Sequence, residues 1–172
     1  MSPIIDGGIG PFEVAGAPVQ GTNEVQTLTI GGTPTGGTFK LAFDGYTTAA
    51  ITWSATDATL VAAIDAALEA LPNIGSGGVT VADSTLTSGI GDATITFGGN
   101  LAEMVVPLIT VADNSLTGTT PTLEVAETTA GVTATARGAK KGALLSDTTN
   151  GILYINTGTA LAPTWTKVGT QT

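Results

Sequence analysis

The sequence predicts a mostly β protein: an antiparallel β-sandwich with one α-helix and a C-terminal β-hairpin. Three observations point there. Thr is the commonest of the 172 residues, with 33 copies, and its branched Cβ suits a half-buried pleated surface. Apolar and polar residues alternate over short runs that clusters of Gly, Pro, Asn and Asp interrupt. A single stretch, about 56–71, carries the 3.6-residue period of a helix instead. Hydrophobic residues make up 42% and charged residues 11%, against roughly 25% charged in an ordinary soluble protein. The chain can therefore bury a core, and hydroxyls rather than charges must solvate its surface.

Residues 1–23 have no sustained period and read as an extended arm. Ile4, Ile5, Ile9, Phe12 and Val14 give it apolar side chains that it cannot bury alone. A body over 24–129 follows. EVQTLTI sets Val25, Thr27 and Thr29 on one face against Gln26, Leu28 and Ile30 on the other. GGTPTGG (31–37) reads as a turn, and TFKLAF (38–43) as a second strand with Phe39, Leu41 and Phe43 on one face. Asp44-Gly45 reads as a tight turn into a third strand, YTTAAITW, which completes a meander. In the helix, Leu60, Ile64, Leu68 and Leu71 share a face, and Thr56 or Asp57 is placed to cap its first turn. Pro72, Asn73 and Gly75 stop it. Burying those four side chains stabilises the fold by roughly 6–12 kcal/mol as an upper bound.

Further strands are expected at 79–83, 93–99, around 105–113 and at 122–128. TVADSTLTSG (80–89) and TVADNSLTGT (110–119) echo one another, and read as two similar strand-and-turn pieces rather than as a repeat array. Residues 130–141 are small, basic and non-periodic, as in a linker. The last module, 142–172, contains Asn150-Gly151 between two alternating stretches, a strong signal for a two-residue hairpin turn. Leu144, Ile152, Tyr154 and Trp165 give it an apolar face that needs covering.

The missing residues narrow the chemistry. Without Cys there is no disulfide, thiolate nucleophile or zinc–sulfur site, and without His the usual general base and transition-metal ligand are gone. Asp65 and Glu69, four apart on the helix, read as a solvated face rather than an acid–base pair. The oxygen-rich loops at Asp83, Ser84 and Asp92 and at Asp113, Asn114 and Ser115 lack the order and the bidentate Glu of a calcium loop, and read as turns. The Gly-rich runs lack the following helix and Lys of a phosphate cradle. No cofactor or metal is expected. A net charge of −9 argues against nucleic acid. No apolar run approaches the ~20 residues of a membrane span, and no N-terminal secretion signal is read, so a protein made and used in a cytosol, or carried outside by something other than a signal peptide, is expected. Arg137, Lys140 and Lys141 form the one positive cluster, suited to an acidic partner surface.

Two stretches carry a resemblance. The first runs from EVQTLTIGGTPTGGTFKLAFDG through TTAAI to ALEALPNIG; it resembles a module of tailed-bacteriophage virion structural proteins. The second, KGALLSDTTNGILYINTGT with APTWTKVG, is similar to a C-terminal β-motif of phage head-fibre, decoration and tail-fibre proteins. The resemblance implies a non-enzymatic capsid decoration (cement) protein. It would be a homotrimer on the outer surface of the virion, assembled in the bacterial host cytoplasm. Its partners would be the major capsid protein and copies of itself. Ile4, Ile5, Ile9, Phe12, Val14, Arg137, Lys140, Lys141, Leu144, Tyr154 and Trp165 are the expected partner-binding residues. The alternative is a fibre or tail module that binds a host receptor or glycan by stacking on Trp53, Trp165, Tyr46 or Tyr154.

Overall fold

The computed structural model describes residues 12–170; Ile4, Ile5 and Ile9 lie outside them. The described chain is mostly β with one α-helix. It divides into two compact units, Asn23–Gly131 and a second made of residues 12–22 with 132–170.

The central unit is built on β2 (Val25–Phe43), which pairs antiparallel with β7 (Thr110–Thr129) over nearly its whole length. On its other side, the first part of β2 pairs with β6 (Gly91–Phe97) from Val25 to Ile30, and β6 pairs with β5 (Val79–Asp83). The last part of β2 pairs there with β4 (Ile51–Thr52) and β3 (Tyr46–Thr47). The alternation expected from Gln26, Leu28 and Ile30 is present, all three being buried. Asp44-Gly45 is the tight turn expected, with positive φ at both residues (44° and 84°) between the paired Phe43 and Tyr46.

GGTPTGG is not a turn. It lies inside β2, so the expected first and second strands are one 19-residue strand. At ~3.3 Å per residue such a strand would span roughly 60 Å if straight, well beyond a unit whose radius of gyration is about 13 Å. Leu28 and Ile30 from one end nevertheless share a core with Phe39, Leu41 and Phe43 from the other, so the ribbon must curve back. Register shifts at Gly31/Thr33 and Pro34/Gly36 provide the bend. Gly32 and Gly37 sit there with φ of 74° and 92°, and a Cβ on either would collide with the β7 backbone at Thr120 or Ser115. The expected strands at 105–113 and 122–128 are likewise replaced by β7 alone, which starts at Thr110 and runs through the second echo copy. The first copy does turn after Asp83. One motif thus has two structures, because only the second copy lies alongside β2.

The helix α1 (Asp57–Glu69) buries Leu60, Ile64 and Leu68 completely, with Leu71 just beyond it. Thr56 occupies the N-cap position without a side-chain hydrogen bond. The expected cap is absent because the Asp57 carboxylate accepts from the N–H of Gly89 (2.6 Å) instead. Around this helix the core gathers Phe39, Phe97, Ile95 and Ile109, with the Phe43 and Phe97 rings 5.2 Å apart.

In the second unit the strand order is β1 (Phe12–Val14), β8 (Leu144–Asp147), β9 (Ile152–Asn156), β10 (Trp165–Lys167). β1 runs parallel to β8 and the other pairs are antiparallel. Ala139, Leu145, Tyr154 and Trp165 form its core. Part of the stretch expected as an arm thus supplies a sheet strand. Ala134 and Ala139, within the stretch expected as a linker, are buried.

Candidate functional site

Among the described residues no three of His, Cys, Asp or Glu are grouped to hold a metal ion, and no helix is long and apolar enough to cross a membrane. The carboxylates of the helix are engaged with backbone. Asp65 accepts from the N–H of Val81 (2.8 Å) and Glu69 from that of Gly77 (2.6 Å). The helix acids are therefore tethers rather than the solvated face expected. Val81 belongs to β5, the edge strand beside the helix, whose outward N–H would otherwise lack a partner.

A buried polar clamp shapes the most exposed apolar feature of the central unit. Glu24 and Gln26 are 1% and 0% exposed. Gln26 donates its amide N–H groups to Glu24 Oε1 (2.9 Å) and the Pro107 carbonyl (3.0 Å), and its Oε1 accepts from the Ile109 N–H (2.8 Å). Glu24 Oε2 accepts from the N–H groups of Val106 (3.4 Å) and Gly131 (3.1 Å). The segment 104–109 is thus held without strand partners of its own. Val106 and Ile109 are buried, while Val105 is 65% and Leu108 44% exposed, with Pro107 exposed between them. Val105, Pro107 and Leu108 thus turn apolar groups to water on a loop that the clamp holds in place. Sequence reading had placed a strand here; Pro107, which breaks a ladder, was the available signal.

In the second unit Phe12 is 43% exposed on edge strand β1, and Val14 and Leu144 are half-buried. Lys140 and Lys141 are exposed and Arg137 is half-buried. Tyr154 and Trp165 are not surface groups. Both are buried in their own sheet, because a module this small needs its largest side chains for its core. Trp165 Nε1 donates to the Thr135 carbonyl (2.8 Å), and the Trp165 backbone exchanges two hydrogen bonds with the Gln20 side chain. Of the aromatics considered for ligand stacking, Tyr46 is exposed, while Trp53 is half-buried and donates Nε1 to the Gly89 carbonyl (2.9 Å).

Asp147 is the unit's fully buried carboxylate, and it organises the turn that follows β8. The Asn150 side-chain amide donates to Oδ2 (2.7 Å), and the N–H groups of Gly16, Thr149 and Asn150 all donate to Oδ1 (3.0–3.1 Å). Asn150's side chain is the largest of the causes that hold the Asp147 pKa below its usual value of 3.8; burial opposes them, and the backbone donors add to the lowering. The two-residue turn expected at Asn150-Gly151 is instead the four-residue turn 148–151, in which Gly151 alone has a positive φ, 65°. Within this longer turn the carboxylate collects the N–H groups of Thr149 and Asn150, while that of Thr148 donates to the Val14 carbonyl (2.9 Å).

The described residues form a mostly β protein with one α-helix. No family model matches the chain, and no curated protein is significantly similar to it.

Proposed function

We propose that this chain is a non-enzymatic virion structural protein that decorates and stabilises a tailed-phage capsid. In that role the bent β2–β7 ribbon would give the central unit a sandwich-like body. The β8–β9 pair serves as the C-terminal hairpin module. The carrying observation is the resemblance of EVQTLTIGGTPTGGTFKLAFDG and KGALLSDTTNGILYINTGT to virion modules. The exposed Val105, Pro107 and Leu108 and the apolar arm supply contact area that gains strength when many copies bind one shell. The partners are the major capsid protein and, in a homotrimer, further copies of the chain on the outer surface of the virion. The glycan-stacking alternative is weakened by the burial of Tyr154 and Trp165.

Charge supports contacts of opposite sign. Residues 23–131 hold eleven of the fourteen acids and one base, Lys40, whereas the terminal segments hold the other four bases. The arm is tested by removing residues 1–11 and measuring co-sedimentation with undecorated heads. The truncation stops short of β1 and of Gln20, so the folded sheet keeps its edge strand and its hold on Trp165. Lost or sharply weakened binding with unchanged circular dichroism is expected; undiminished binding would remove the arm from the mechanism.

A further inference from the structure

We propose that Asn150-Gly151 is a deamidation site that the native turn keeps silent, so that its conversion records opening of the terminal unit. The inference is independent of the decoration role. Asn followed by Gly is the pair most open to this reaction, because no side chain on the second residue hinders approach of its amide nitrogen. In the reaction the Gly151 N–H gives its proton to solvent base and the nitrogen attacks Asn150 Cγ. The new N–C bond closes a cyclic imide as the Cγ–Nδ2 bond breaks and ammonia leaves. Water then opens the imide at either carbonyl, leaving aspartate or isoaspartate at position 150.

Both reacting groups are occupied in the fold. The Gly151 N–H donates to the Asp147 carbonyl (2.8 Å), and the Asn150 carboxamide donates to Asp147 Oδ2 (2.7 Å) while its own backbone N–H is held by Oδ1 (3.1 Å). Attack would swing the carboxamide away from that oxygen. It would also build negative charge on Gly151 N and the Asn150 side-chain oxygen beside the Asp147 carboxylate, which opposes it. The product loses the Nδ2 donor and sets a second carboxylate against Asp147 at the end of β8, so a converted turn does not re-form as before. No other Asn in the sequence precedes a Gly.

The test follows the full chain at mildly alkaline pH by intact mass and peptide mapping, with isoaspartate detected by its enzymatic methylation. Native protein is compared with protein in urea and with Asp147→Asn, which keeps the side-chain volume but sets an amide against the Asn150 amide. Conversion at Asn150 is expected to be at least about tenfold slower in the native protein than in urea, in line with the loss of hydrogen bonds to a charged group. Asp147→Asn, if folded by circular dichroism, should move toward the urea rate. Equal rates in native and unfolded protein would overturn the inference, as would faster deamidation in urea at another Asn than at Asn150. Asn150→Asp, made directly, should lower the melting temperature of the terminal unit by several degrees; an unchanged melting temperature would contradict the claimed damage.

Discussion

Glu24, just before β2, and Gln26 within it stand two apart, and their side chains take the place of a neighbouring strand: they satisfy the backbone of segment 104–109 and of Gly131. Every Glu24 oxygen faces donors, so Glu24→Gln, nearly isosteric, must point an amide at at least one of them. The variant should lose about 1–3 kcal/mol of stability, the cost of a buried donor left unmatched, read as a lower denaturation midpoint at unchanged slope. Asp147 makes a prediction in pH. Its folded pKa lies below 3.8, so its contribution is fully present above the unfolded value and is lost as pH falls through the folded one. The native protein should lose terminal-unit stability on acidification below about pH 4, and Asp147→Asn should show less of that loss. Neither network was legible in the sequence. The alternation showed that Gln26 faces inward, but which loop it would meet depends on a partner some eighty residues away.

At the scale of elements, the helix and the strands at Val79–Asp83 and Gly91–Phe97 were readable because each is short and its periodicity local. The β2–β7 ribbon was misread because Gly and Pro normally punctuate. In GGTPTGG they instead let a continuous strand bulge and bend, which only its pairing with β7 reveals. Replacing Gly37 by Val tests the bend: left-handed φ and collision with the Ser115 carbonyl both oppose it, and a loss of more than about 1 kcal/mol is expected in chemical denaturation. The helix tether is a milder case. Asp65→Ala frees the Val81 N–H near the surface, where water can reach it, and should cost about 1 kcal/mol.

At the scale of the whole molecule, composition foretold a β-rich, weakly charged protein without His or Cys chemistry, and the structure is mostly β. It did not foretell that chain ends over a hundred residues apart would share a sheet, with β1 beside β8, since parallel pairing leaves no local signature. The apolar contact candidates divided in the same way. Phe12 is on the surface, while Tyr154 and Trp165 complete a small core, and from sequence all three are simply large apolar residues that need covering.

The decoration role we propose rests on binding through the exposed apolar residues of segment 104–109, the N-terminal segment and the separated charge. The most direct test is native mass measurement of the full chain, alone and after mixing with undecorated heads. A trimer that saturates the shell at fixed stoichiometry is the predicted result. A monomer that leaves both the shell and its own copies unbound would contradict the account.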